Sequence, residues 1–341
     1  MSSHLERELR EQPEALQRLL DAQAARAAEI AQLFSRGDVQ YVLIASRGSS
    51  SNAARYAQYL LGRAHRVPVA FATPSLYTLY EQPPRLDGAL VVGISQSGES
   101  PDVVEVLTEA HRQRRPTVAL TNVESSPLGR AADAVLPLEA GDEQAVAATK
   151  TYMNSLGAIA LLFASATRDV GARDELRRMP AQLARQLELS WDVALDAVEG
   201  GTVVARGVNY GTSFEIALKI RELSGLLFEA YSAADLMHGP VAAIGRGWPV
   251  IAVAPTGPAF GVMREAAVEL ARRGARLLTV SDDPELLALA DVPLPLLAGV
   301  PEWLSPLVAV VPGQLVALRL AQLGGSDLDK PLGLSKVTLT R

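Results

Sequence analysis

The sequence predicts an α/β chain built as two tandem, doubly wound parallel-sheet domains with helices on both faces. Three observations carry that expectation. Short continuous apolar runs such as Ala89 to Ser95 (ALVVGIS) lack the alternation of a half-exposed strand and mark strands buried on both faces. These runs alternate with helical patterns. The chain also resembles itself at an offset near 160 residues: Gly48 and Gly207 correspond at 159, the strand run Ala89 to Ser95 with Val250 to Ala254 at about 159, Pro116 to Val123 with Ala275 to Asp282 near 160, and Ala132-Asp133 with Ala290-Asp291 at 158. At about 100–200 residues per domain, 341 residues hold two such copies.

Taken in order, residues 1–36 are expected to form a helical lead-in, because Met1 to Glu14 is charged and amphipathic and has no apolar core of a secretory signal. Residues 37–165 form the first domain. There the run Tyr41 to Ala45 meets a small-residue turn, Ser46 to Ser51, before a helical pattern from Asn52 to Leu61. The strand run Ala89 to Ser95 is followed by a helix Pro101 to Arg112, a strand Thr117 to Thr121, a short helix near Pro127 to Ala132, and a strand Ala134 to Pro137. Residues 166–197, rich in Arg, Leu and Ala, read as a helical connector. The second domain, 198–324, repeats the plan: Thr202 to Ala205 leads through Arg206-Gly207 into a helical pattern reaching Leu227. Residues 325–341 have little periodic core material and read as a tail.

Composition narrows the chemistry. With 48% hydrophobic residues and a mean hydropathy of +0.14, the chain can build real cores. Cysteine is absent, which excludes disulfides, thiolate metal sites and a cysteine nucleophile in this chain. The four histidines, His4, His65, His111 and His238, show no metal-ligand spacing, so a protein-built transition-metal site is not expected. A net charge of −6 without a basic block gives no nucleic-acid footprint. The most apolar stretch, Leu304 to Leu323, is interrupted by Pro306, Pro312 and Arg319, which argues against a membrane span. A soluble, cytoplasmic protein is expected.

In open parallel sheets ligands lie at the carboxyl ends of strands, beside helix N-termini. Two turns of the first domain suit an anion there: Gly48-Ser49-Ser50-Ser51-Asn52 and Ser95-Gln96-Ser97-Gly98-Glu99-Ser100. One such turn would read as N-caps and loop solubilisers, whereas two in one unit favour a phosphate. Neither is a GxGxxG or a P-loop, which disfavours a dinucleotide or nucleoside triphosphate. The corresponding turns of the second domain, Arg206 to Asn209 and Pro255 to Gly257, have lost most of these hydroxyls, so the phosphate belongs to the first. Acid–base candidates stand elsewhere. Glu215, Lys219 and Glu222 share one helical face, as an exposed ion-pair stripe or as a catalytic group. His238 precedes a Gly-Pro turn, and Lys336 lies in the tail; by default the first is structural and the second solvated.

These motifs resemble the sugar isomerase (SIS) class, and in detail the isomerase half of glutamine:fructose-6-phosphate aminotransferases. Ser95 to Ser100 is similar to that family's SQSGET turn, with Ser100 for Thr. Glu143 to Lys150 (EQAVAATK) resembles E-x-x-VASTK, Ala217 to Glu222 (ALKIRE) resembles ALKLKE, His238-Gly239-Pro240 resembles the KHGP turn, and the tail resembles DxPRNLAKSVTVE. The similarity runs colinearly from about 37 to 341. It implies two flavodoxin-like units and specific roles: Ser50, Ser95, Gln96, Ser97 and Ser100 on the 6-phosphate, with Glu143 in the matching segment and backbone around Val146 and Ser335 lining the sugar. Glu222 would carry a proton between C1 and C2, Lys219 would support it, His238 would assist ring opening in a neighbouring subunit's site of a homodimer, and Lys336 would close over the sugar.

The departures shape the expected activity. The aminotransferases use an N-terminal cysteine in a separate glutaminase domain, whereas this sequence begins Met1-Ser2 and has no cysteine. Leu332 and Gly333 replace the family's Arg and Asn in the tail, and the forms GLSKVT and SRGSSSNAA look more like stand-alone double-SIS deaminases. The expectation is therefore an isomerising deaminase of glucosamine 6-phosphate. A fructosamine 6-phosphate deglycase or a galactosamine 6-phosphate deaminase would use the same residues, and a non-catalytic sugar-phosphate sensor would keep only the phosphate turns.

Overall fold

The computed structural model describes residues 3–167, 169–191 and 195–336. Its described residues fall into two compact units: residues 11–143, 148–167, 169–180 and 335–336 in one, and residues 3–10, 144–147, 181–191 and 195–334 in the other.

The chain opens with helix α1 (His4–Phe34), which tolerates Pro13 in its interior. Leu5, Leu9, Leu16, Leu19, Ala27, Ile30 and Phe34 recur at helical spacing and are all nearly inaccessible, so the amphipathic pattern read in its first residues runs its whole length.

The unit that contains residues 11–143 holds a five-stranded parallel sheet. Its elements are β1 (Tyr41–Ser46), α2 (Gly48–His65), β2 (Val69–Phe71), α3 (Ser75–Thr78), β3 (Ala89–Ile94), α4 (Pro101–Arg112), β4 (Thr117–Thr121), α5 (Pro127–Ala131), β5 (Ala134–Pro137) and α6 (Lys150–Ala166). The strand order is β2-β1-β3-β4-β5, the doubly wound order whose switch point falls between β1 and β3. Residues of β1 and β3 are in parallel register, with Ser46 beside Ile94. Helix α6 is buried from Lys150 to Ala164, and Gly157 lets α1 approach: a Cβ there would lie 2.5 Å from Leu16 Cδ1. The short helix α7 (Gly171–Arg177) belongs to this unit.

The other unit repeats the plan. After α8 (Met179–Ser190) come β6 (Gly200–Ala205), α9 (Tyr210–Ser224), β7 (Leu227–Ser232), α10 (Ala233–Met237), β8 (Pro249–Val253), α11 (Phe260–Arg272), β9 (Arg276–Ser281), α12 (Pro284–Ala288), β10 (Val292–Pro295) and α13 (Ser305–Leu323). The order β10-β9-β8-β6-β7 is that of the first sheet read from its other edge. The first residues of β1 and β6, Tyr41 and Gly200, are 159 apart, the same interval as Gly48 to Gly207. The repeated aspartate serves one purpose in both copies: Asp133 accepts a hydrogen bond from the Thr117 amide at 2.9 Å, and Asp291 accepts one from the Leu277 amide at 2.8 Å. Each fastens the edge strand to the start of the strand before it.

Two local readings are corrected. Helix α2 begins at Gly48 rather than Asn52, which puts Ser49 and Ser50 in its first turn; the break in helical dihedrals falls at Arg47, extended at φ −138° and ψ 159°. Helix α9 stops at Ser224 instead of reaching Leu227. Gly225 adopts φ +72° and its amide caps the helix through the Arg221 carbonyl, turning the chain into edge strand β7. The strands β2 and β7, short or exposed on one side, had no continuous apolar run to announce them. The apolar segment Glu302–Leu323 is long and apolar enough to cross a membrane, yet residues 303–321 are buried within the fold except Arg319. It is a core helix: Gly313 brings it against Ile216 of α9, where an added Cβ would lie 2.3 Å from the isoleucine side chain.

Candidate active site

Both serine turns lie at the carboxyl ends of β1 and β3, flanking the switch point of their sheet. They share an internal design. In the first, the Ser46 and Ser51 hydroxyls share a hydrogen bond at 3.1 Å; in the second, those of Ser95 and Ser100 stand 3.4 Å apart. Ser95, nearly buried, also accepts from the Gly98 amide at 3.2 Å, and Ser97 Oγ accepts from the Glu99 amide at 3.2 Å. Gly98 has φ +66° and no room for a side chain, since a Cβ would lie 2.0 Å from Ser126 Oγ. Ser100 caps α4 by position but makes no side-chain cap bond, so its hydroxyl stays turned to the Ser95 side. Gln96, Ser97, Ser100 and Ser50 are half-buried. The result is a pair of hydroxyl-bearing turns at two helix N-termini, suited to a small anion.

In the same unit the structure brings together Glu143 and Lys336. Glu143 is fully buried, and its Oε1 accepts from the amides of Thr149 and Thr151 at 2.9 and 3.0 Å. Its Oε2 accepts from Thr151 Oγ1 at 2.7 Å and from Lys336 Nζ at 2.8 Å. Burial pushes this carboxyl upward, but the Lys336 charge and these hydrogen bonds outweigh it and hold the group below the usual carboxylate range. Nearby, Lys150 is buried and donates to Glu11 and to the Asp142 carbonyl, each at 2.6 Å. Ser335 is exposed beside Lys336.

In the other unit, Val146 is half-buried, and its amide donates to the Asp329 carbonyl at 3.4 Å. Glu8 of α1 accepts from the amides of Gln144 and Ala145, so this segment is pinned from α1. Helix α9 carries the ionisable trio. Lys219, 1% exposed, is hydrogen-bonded to Glu222 and stands 3.6 Å from Glu215. Glu215 is wholly buried, while the Glu222 side chain is 25% exposed. The trio is therefore not an exposed stripe of surface charge: one buried ammonium is flanked by two carboxylates, and Glu222 alone of the two reaches solvent. His238 follows α10 as an exposed residue, its amide bonded to the Asp235 carbonyl at 3.2 Å, just before Gly239 at φ +145°.

Sequence reasoning passed over Arg47 and Asp102. Arg47 Nε donates to Asp102 Oδ2 at 2.6 Å, tying the start of α2 to the start of α4. Both residues border the serine turns, but only adjacency of β1 and β3 reveals that they meet.

The SIS domain model matches residues 38–165 and 202–323. This chain belongs to the SIS domain family. It is 34% identical over 341 residues to a glutamine–fructose-6-phosphate aminotransferase (isomerizing) of Pyrococcus horikoshii, covering 97% of this chain and 56% of that protein. The chain thus spans little more than half the length of such relatives. The C-terminal domain of the glucosamine-fructose-6-phosphate aminotransferase from Francisella tularensis superposes with a TM-score of 0.82 at 27% identity, over 97% of this chain and 99% of that one. A glucosamine-6-phosphate deaminase of Thermotoga maritima shares the fold, with a TM-score of 0.80 at 21% identity over 99% and 100% of the two chains. The double-SIS architecture is a sugar isomerase scaffold.

Proposed function

We propose that this protein is an isomerising deaminase that converts glucosamine 6-phosphate and water into fructose 6-phosphate and ammonia. The observation that carries the reading is the Lys219 ammonium held between the buried Glu215 and the accessible Glu222. A base that must move one proton between adjacent carbons has to reach substrate and hold its rotamer. Glu222 meets the first condition by exposure and the second through its hydrogen bond to Lys219.

The roles follow. The phosphate goes to Ser50, Ser95, Gln96, Ser97 and Ser100. With the sugar open, Glu222 takes the proton from C2, the electron pair forms an enolamine with C1, and the C1 carbonyl oxygen takes up a proton to become a hydroxyl. The same carboxyl returns its proton to C1 while the nitrogen gives up one of its own, leaving a C2 imine; water adds to that carbon, and ammonia departs as the ketone forms. His238 assists ring opening, from a neighbouring subunit in a homodimer, and Lys336 borders the sugar beside Ser335. The tail form GLSKVT and the turn SRGSSSNAA support deamination over amide transfer. An ammonia-release assay on purified protein, with glucosamine, galactosamine and fructosamine 6-phosphates, tests this. Release is expected from glucosamine 6-phosphate, and its absence with all three would reject the reading.

A further inference from the structure

The serine turns offer hydroxyls and backbone amides, all neutral, to a ligand that would carry close to two negative charges near neutral pH. The charge that answers it stands at their edge. Arg47 lies between β1 and α2, directly before Gly48, and its side chain is 51% exposed. Its partner Asp102, in the first turn of α4 two residues beyond Ser100, is 1% exposed. Asp102 is fixed on both oxygens: Oδ1 accepts from the Val103 amide at 2.9 Å, and Oδ2 accepts from Arg47 Nε at 2.6 Å.

Two consequences follow from this geometry. A buried carboxylate at the head of α4 would by itself repel an anion at the Ser95 to Ser100 turn, and the guanidinium cancels that charge. The bond to Asp102 also uses Nε alone. Among the described residues neither terminal nitrogen of Arg47 donates a hydrogen bond, so the outer edge of the fork is available to an acceptor with two oxygens.

We propose that Arg47 is a direct ligand of the substrate's phosphate group, selecting a dianionic phosphate monoester, and that Asp102 is the positioning residue that aims it. This inference rests on the reading of the serine turns as the phosphate site. It adds a cation beside the hydroxyls and amides of both turns.

The test is calorimetric binding of inorganic phosphate and of glucosamine 6-phosphate at pH 5.5 and 7.5, which bracket the second ionisation of a phosphate monoester, at about 6, and the somewhat higher one of inorganic phosphate. Wild type is expected to bind both more tightly at the higher pH. Arg47→Met should weaken both by about tenfold to a hundredfold at pH 7.5 and flatten the pH dependence, because the group that favours the dianion is gone. Arg47→Lys, which keeps the charge but loses the planar fork, should retain the pH dependence at reduced affinity. Asp102→Asn, able to accept from Val103 still, should weaken binding less than Arg47→Met. A merely structural role would lower affinity without altering its pH dependence. Wild-type affinity and pH dependence in Arg47→Met, with an unchanged circular dichroism spectrum, would overturn the proposal; should that variant not fold, unchanged binding in Arg47→Lys and Asp102→Asn does so. If wild type binds neither probe, the phosphate-site reading falls as well, whereas tight wild-type binding unaffected by the Arg47 variants removes this inference alone.

Discussion

Lys336 donates from Nζ to Oε2 of Glu143 at 2.8 Å, across 193 residues of sequence, and so places a tail cation on a wholly buried carboxylate. Removing that cation leaves Glu143 charged with only neutral donors. Lys336→Met is expected to cost roughly 1–3 kcal/mol, toward the low end of a broken buried pair because Lys336 is itself a quarter exposed. Thermal unfolding measures the loss, and an unchanged melting temperature would contradict it.

The same pair sets an acid limit. Glu143 titrates below its ordinary value of 4.5 in the folded protein, so the folded state binds fewer protons there than the unfolded chain. The stability it contributes is complete above that ordinary value and is lost as pH falls through the lower folded one. Glu143→Gln should therefore show a shallower fall of melting temperature below about pH 4.5 than wild type.

Glu222→Gln should keep sugar-phosphate binding and lower ammonia release by about 10²–10⁴-fold, the usual contribution of a positioned base. Its neighbour behaves differently: Lys219→Met removes the buried ammonium beside the buried Glu215 and should destabilise the fold by about 3–5 kcal/mol. Equal melting temperatures for Lys219→Met and wild type would show that the trio is not held together electrostatically.

Gly98→Ala tests the second serine turn. The added methyl meets Ser126 Oγ at 2.0 Å in a left-handed conformation that alanine disfavours. A stability loss of about 1–3 kcal/mol is expected, together with a raised KM for the sugar phosphate. A variant with wild-type KM would separate this turn from substrate binding.

If His238 serves a neighbouring subunit, Glu222→Gln and His238→Ala should each be nearly inactive alone and regain activity when unfolded and refolded together. Mixed subunits would then hold one site with both intact groups. No recovery in mixtures shown to contain hybrid dimers would place both groups on one chain.

Much of the fold was legible because it repeats. Two copies of β1-like runs, small-residue turns and paired aspartates kept their spacing, and strands buried on both faces cannot disguise their apolar character. What stayed hidden were the elements lacking that signal. Edge strand β7 is exposed at Leu227 and Glu229, and only the Gly225 cap separates it from a helical pattern that otherwise continues.

By itself the sequence determined the duplicated α/β plan, the two hydroxyl-bearing turns and the helical face shared by Glu215, Lys219 and Glu222, since each depends on residue type and short-range spacing. Tertiary structure alone decided which charges meet. Lys336 lies on Glu143 and Arg47 on Asp102 because strand order and tail path bring distant residues within bonding distance, and burial then separates Glu215, sealed from water, from Glu222, which stays partly exposed.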